Sequence, residues 1–169
     1  MSFTTTMFSS LLFNPLNDPL WLKYVMQGAG AFLAVFAFTI MLGAGKKIAL
    51  FNSVISFISW DTYALFLDFG WTNFAATFLA TLVVAIAAQI GARWFRTPVT
   101  MVIIPSLYPL VPGALIYRCV NAFFYERMDQ ASVYAIQTFI MAASIALGVF
   151  LIETVVTLLK QMKRNKYSK

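Results

Sequence analysis

The chain has 169 residues, of which 61% are hydrophobic and 11% charged, with a mean hydropathy of +0.81 and a net charge of +6. This apolar share lies well above that of a soluble domain and marks an integral membrane protein, while the absence of any long polar run or Gly-rich phosphate loop excludes a nucleotide-driven motor. A single cysteine, Cys119, precludes an internal disulfide, and the lack of histidine excludes His-ligated metals and imidazole relays, so no metal or cofactor is expected.

Residues 1–19 have neither the basic start nor the small-residue cleavage site of a secretory signal and are expected to be retained, as a tail or as a short interfacial helix ending before Asn14 and Pro15. The segment 20–159 then reads as an all-α, polytopic bundle of five transmembrane helices, at about 20–45, 48–67, 69–92, 97–118 and 131–158. Four of these contain uncharged windows of 20 residues or more, which is what a hydrocarbon core of about 30 Å requires. The second crosses only if Asp61 is tolerated near one end. Trp21, Trp60, Trp71 and Trp94 fall at expected span ends, where amphipathic rings anchor at headgroup level. Small residues four apart (Gly30 and Ala34, Ala76 and Ala80, Ala87 and Gly91, Ser144 and Gly148) suit close helix packing in lipid.

The fourth crossing, TPVTMVIIPSLYPLVPGALIY, is broken at its centre by Pro105, Pro109 and Pro112 followed by Gly113. Prolines at i, i+4 and i+7 share a helical face and deprive the carbonyls of Met101, Pro105 and Tyr108 of their amide partners. Unpaired backbone in lipid is tolerated only where protein or a watery cavity covers it, which makes the break a candidate substrate site. Pro112 suits the first position of a new half-helix, whose free amides from Gly113 onward would meet a carboxylate. The freed carbonyls would meet an ammonium group or a coupling cation. Ser106 and Tyr108 supply hydroxyls, and Gln89, Gln137 and the group Asn52, Ser53 and Ser56 are further path-lining or interhelical candidates. A kinked helix that only shapes the bundle is the competing reading.

Two carboxylates, Asp61 and Glu153, lie inside expected spans and are candidates for proton coupling. With five spans, Lys46, Lys47, Arg93, Arg96, Lys160, Lys163, Arg164, Lys166 and Lys169 fall on one side, and Lys23, Arg118 and Arg127 on the other. This bias places the N-terminus outside and the basic tail, 160–169, in the cytoplasm, where it meets anionic membrane lipid. The positive charge belongs to membrane loops, so nucleic acid is not an expected partner.

The run RTPVTMVIIPSLYPLVPGALIYR, with ASIALGVFL in the last span, resembles the threonine/serine exporter family, in particular its small membrane subunit type, in which the exporter is split over two genes. The core of the similarity is IPSLYPLVPG, Ile104 to Gly113. The resemblance implies a non-enzymatic secondary antiporter of the plasma membrane, exporting threonine and serine against entering protons with a larger companion subunit. Some split members are associated with dicarboxylates such as succinate, and a non-transporting subunit that stabilises a partner is the alternative. A homo-oligomer is also compatible, because an odd number of spans leaves no complete two-fold repeat. An intramembrane enzyme is disfavoured, since Cys119 has no base beside it.

Overall fold

The computed structural model describes residues 20–167, with side chains over 21–162. The expectation of a tail or interfacial helix over 1–19 lies outside the described residues. The described chain is helical, without strands: α1 (Leu20–Met41), α2 (Lys46–Asp68), α3 (Asn73–Phe95), α4 (Thr100–Leu107), a 3-10 turn (Tyr108–Leu110), α5 (Gly113–Phe124) and α6 (Met128–Tyr167). α1, α2, α3 and α6 are each long and apolar enough to cross a membrane, and the bent α4–α5 pair brings the number to five if counted as one crossing. α6 continues as helix through Tyr167, into the basic end.

The same device ends four helices. Residues in the left-handed region, Gly43, Gly70, Arg96 and Glu126, each lie just past a helix end. The next amide then reaches back five residues: Ala44 to Thr39, Trp71 to Phe66, Thr97 to Ala92 and Arg127 to Ala122. These bonds satisfy carbonyls that a helix terminus otherwise leaves open, so each connection is short and the helices return beside one another. α3 also starts on a capping side chain, Thr72, whose hydroxyl oxygen accepts from the Ala75 amide.

α1 packs on α2, α2 on α3, and α3 on α6; α4 and the 3-10 turn are seated against α1, α2 and α3, whereas α5 packs chiefly on α6. The core joins Ile55, Ala80, Val84, Ala85, Ala88, Val102, Ile103 and Leu110. Its alanines matter because lipid is as apolar as the core, so close approach of backbones replaces hydrophobic burial as the packing force. A Cβ on Gly91 would overlap the Phe51 ring of α2, and one on Gly148 would lie 2.9 Å from the Thr81 methyl of α3. Gly30 instead has open space around it, and Ala34 is exposed, so that small pair serves no contact among the described residues. Trp21, Trp71 and Trp94 are exposed, but Trp60 differs from the other three: it lies within α2, beside the core and against Tyr63. A ring facing inward there packs the bundle rather than anchoring it in the headgroups.

Candidate functional site at the broken crossing

The three prolines play different parts. Pro105 lies inside α4 and is buried, Pro109 lies in the 3-10 turn, and the chain leaves helical geometry only at Val111 and Pro112. Pro112 has φ −75° and ψ 48°, and the Gly113 amide donates to the Val111 carbonyl at 2.7 Å, which closes an inverse γ-turn around the proline ring. The axes on either side differ by 51°. A change of direction of this size is compatible with one continued crossing.

Pro112 caps α5 from the position before its first residue, and the first turn closes when the Ile116 amide reaches the Pro112 carbonyl at 3.0 Å. Gly113 has given its amide to the γ-turn, which leaves the Ala114 and Leu115 amides as the donors at the open start of α5. Gly113 and Ala114 are both exposed.

Each carbonyl freed by a proline has acquired a protein partner. Met101 O accepts from Asn52 Nδ2 of α2 at 3.1 Å, Pro105 O from the Tyr108 amide, and Tyr108 O from the Val111 amide at 3.3 Å. Tightening to 3-10 geometry thus repairs two of the three losses within the segment, and a side chain from another helix repairs the third. Asn52 is fully buried; its side-chain amide also lies 3.5 Å from Thr39 Oγ1 of α1, and the Ser106 hydroxyl donates to the Asn52 backbone carbonyl at 3.5 Å. Asn52 Oδ1 and Ser56 Oγ, one turn on along α2, are buried with no hydrogen-bond partner. Thr39, Asn52, Met101 and Ser106 therefore make a small polar junction where α1, α2 and α4 meet, below the bend.

The residues singled out from the sequence divide around this junction. Ser106 joins it, whereas Tyr108 is half-exposed and stacks on Phe38 of α1 with ring centroids 5.0 Å apart, so the two hydroxyls do not converge. Gln89 is half-buried on α3 and makes no hydrogen bond to the proline segment. Glu153 is exposed on α6 and forms no salt bridge among the described residues; Asp61 is half-buried on α2, away from the break. Gln137 is exposed on α6, and Ser53 bonds its own helix at Ala49 O. Asn52 was one polar residue among several in the sequence, and its link to Met101 depends on a contact between segments 49 residues apart. The residues around the break contain no group of His, Cys, Asp or Glu able to hold a metal, and none occurs elsewhere among the described residues.

The model of one protein family, "Threonine/Serine exporter, ThrE", matches residues 27–155. The chain belongs to the threonine/serine exporter family. The match runs from the first turns of α1 to well inside α6, so the broken crossing and the polar junction both lie within the family region. Neither the curated proteins nor the solved structures give a match. Membership makes the protein a multi-pass membrane transporter of the threonine/serine exporter type, with a small molecule as its substrate.

Proposed function

We propose that this threonine/serine exporter family member is the small membrane subunit of a proton-gradient-driven antiporter that exports threonine and serine and works with a larger companion subunit. It is set in the plasma membrane with its N-terminus outside and its C-terminus in the cytoplasm. The observation that carries the site reading is the 51° break, with α4 buried against three helices on one side and the α5 start, Gly113 and Ala114, open on the other.

At this break the Ala114 and Leu115 amides and the positive end of α5 suit the substrate carboxylate. The second lone pair of the Tyr108 carbonyl and the half-exposed Tyr108 hydroxyl suit its ammonium and hydroxyl groups, while Ser106 and the Met101 carbonyl support that backbone from the buried junction. Pro105, Pro109, Pro112 and Gly113 shape that backbone, and Gln89 lines the path from α3. Asp61 and Glu153 are the carboxylates available for proton coupling. The companion supplies the wall facing α5, a helix with few neighbours of its own beyond α6.

The test is counterflow and pH-gradient-driven flux in proteoliposomes with threonine, serine and succinate, comparing this chain alone with the chain plus its companion. Threonine and serine flux that needs both chains and rises with an inward proton gradient is expected. Activity from this chain alone would remove the split-subunit reading, succinate flux would move the substrate to dicarboxylates, and flux indifferent to the gradient would remove proton coupling. Normal efflux after replacing Pro109 and Pro112 by alanine, in a complex that still assembles, would remove the site and leave a stabilising subunit.

A further inference from the structure

The α1–α2 pair carries a second set of polar groups, remote from the break. At its end, Lys23 Nζ lies 2.9 and 2.7 Å from the two oxygens of Asp68, and the Tyr24 hydroxyl donates to Asp68 Oδ2 at 2.7 Å. Further into the helices the same faces present Gln27, four residues after Lys23, and Asp61, seven before Asp68. Asp61 Oδ1 and Gln27 Oε1 are both buried, and neither has a hydrogen-bond partner. Gly28 is what lets the helices meet there: a Cβ at that position would lie 2.9 Å from Asp61 Oδ1 and 2.7 Å from the Phe57 ring. The carboxylate oxygen is thus laid against the α1 backbone beside Gln27.

Two buried acceptors, one from each helix, are an incomplete arrangement. An ionised carboxylate and an amide oxygen only accept, so each keeps its desolvation cost without return. One proton answers both, because a protonated Asp61 donates and Gln27 Oε1 accepts. No cation on the packed elements does this instead. On α1, Lys23 and Tyr24 are engaged by Asp68. α3 has no ionisable residue before Arg93, α4 has none, and the 3-10 turn brings only Tyr108. α2 itself adds Tyr63 and Asp68 nearby.

We infer that Asp61 and Gln27, allowed together by Gly28, form a proton-binding site within the α1–α2 pair; this rests on the proton-driven reading above and names the group that carries the proton. The Asp61 carboxyl takes the proton from the water at the Lys23–Asp68 end, about 10 Å away at 1.5 Å per residue. It returns the same proton when the site opens to the other side, so one O–H bond forms and one breaks per cycle.

The test reads the proton without transport. Dicyclohexylcarbodiimide modifies carboxyl groups that are protonated in an apolar setting, and mass spectrometry of the chain in liposomes locates the adduct. Asp61 is expected to be modified, with labelling fading as the pH is raised, while Asp68, held ionised by Lys23, stays unmodified. Gln27→Leu removes the acceptor for the protonated form and is expected to move half-labelling down by about one pH unit. Gln27→Met, of similar shape, gives the same readout if the leucine variant fails to fold, and Asp61→Asn sets the background. An unmodified Asp61 at about pH 6, or a profile unmoved by both Gln27 variants, overturns the site; the amide would then be donating to an ionised carboxylate. Labelling as expected in a protein whose efflux ignores the pH gradient would keep the site and remove the proton-driven reading.

Discussion

Asn52 holds a place that a general polar residue would not. Its amide, fully buried, is the partner of a carbonyl that Pro105 has stripped, so its removal takes from Met101 O the bond that replaced the helical one. Asn52→Ala is expected to lower stability by about 1–2 kcal/mol, less than a soluble protein would lose because interhelical bonds in lipid are individually modest. Ser53→Ala, one residue away, removes only a bond to its own helix at Ala49 and should cost under about 0.5 kcal/mol. Thermal melting of the detergent-solubilised protein separates the two, and equal losses would argue against the capping role. In the sequence the missing amide partners of Met101, Pro105 and Tyr108 were legible from proline spacing alone. Which groups replace them was not, because two are answered by a local change to 3-10 geometry and one by a side chain from α2.

Among the elements, the bend belongs to Pro112. Pro105 sits within α4 with its missing bond already answered, whereas Pro112 closes a γ-turn that no continuous helix contains. Pro112→Ala is expected to straighten the crossing and lengthen the distance between spin labels at the exposed positions Ile104 and Val120; Pro105→Ala should leave it unchanged. The helix seams give a second contrast. Gly148→Ala places a methyl against Thr81 and is expected to cost about 1–3 kcal/mol in a thermal melt, while Gly30→Ala meets nothing and should be neutral or slightly stabilising. From sequence alone the two glycines look alike, each with a small residue four positions away. Their difference arises from which faces the bundle uses, and in lipid that choice leaves little trace in the hydrophobic pattern.

For the whole molecule, the long apolar runs made the crossings legible, since backbone in lipid has few options other than helix. The charge distribution gives an expected topology as well: nine Lys and Arg against three, counted over alternating ends. Cysteines introduced at Lys46 and Arg96 in a Cys119→Ser background should therefore resist an impermeant maleimide added outside cells, whereas one at Arg127 should react. Reaction at Lys46 would invert the bundle. The pairing of α5 with α6 was not legible, because the sequence read the proline stretch as one element, while the structure lets its halves pack with different neighbours.

That division gives the two halves of the crossing different anchors. α4 packs with α1, α2 and α3, and α5 packs with α6, where Cys119 Sγ donates to the Ala131 carbonyl, 3.4 Å away. Between them lie the torsions at Val111 and Pro112 and the α3–α6 seam at Gly148 and Thr81. The start of α5 is thus held from the α6 side, across the α3–α6 seam, and not by the junction at Asn52. The two walls of the break therefore answer to different seams, and a substitution at Gly148 is expected to reach α5 through α6 while leaving Asn52 and Met101 paired.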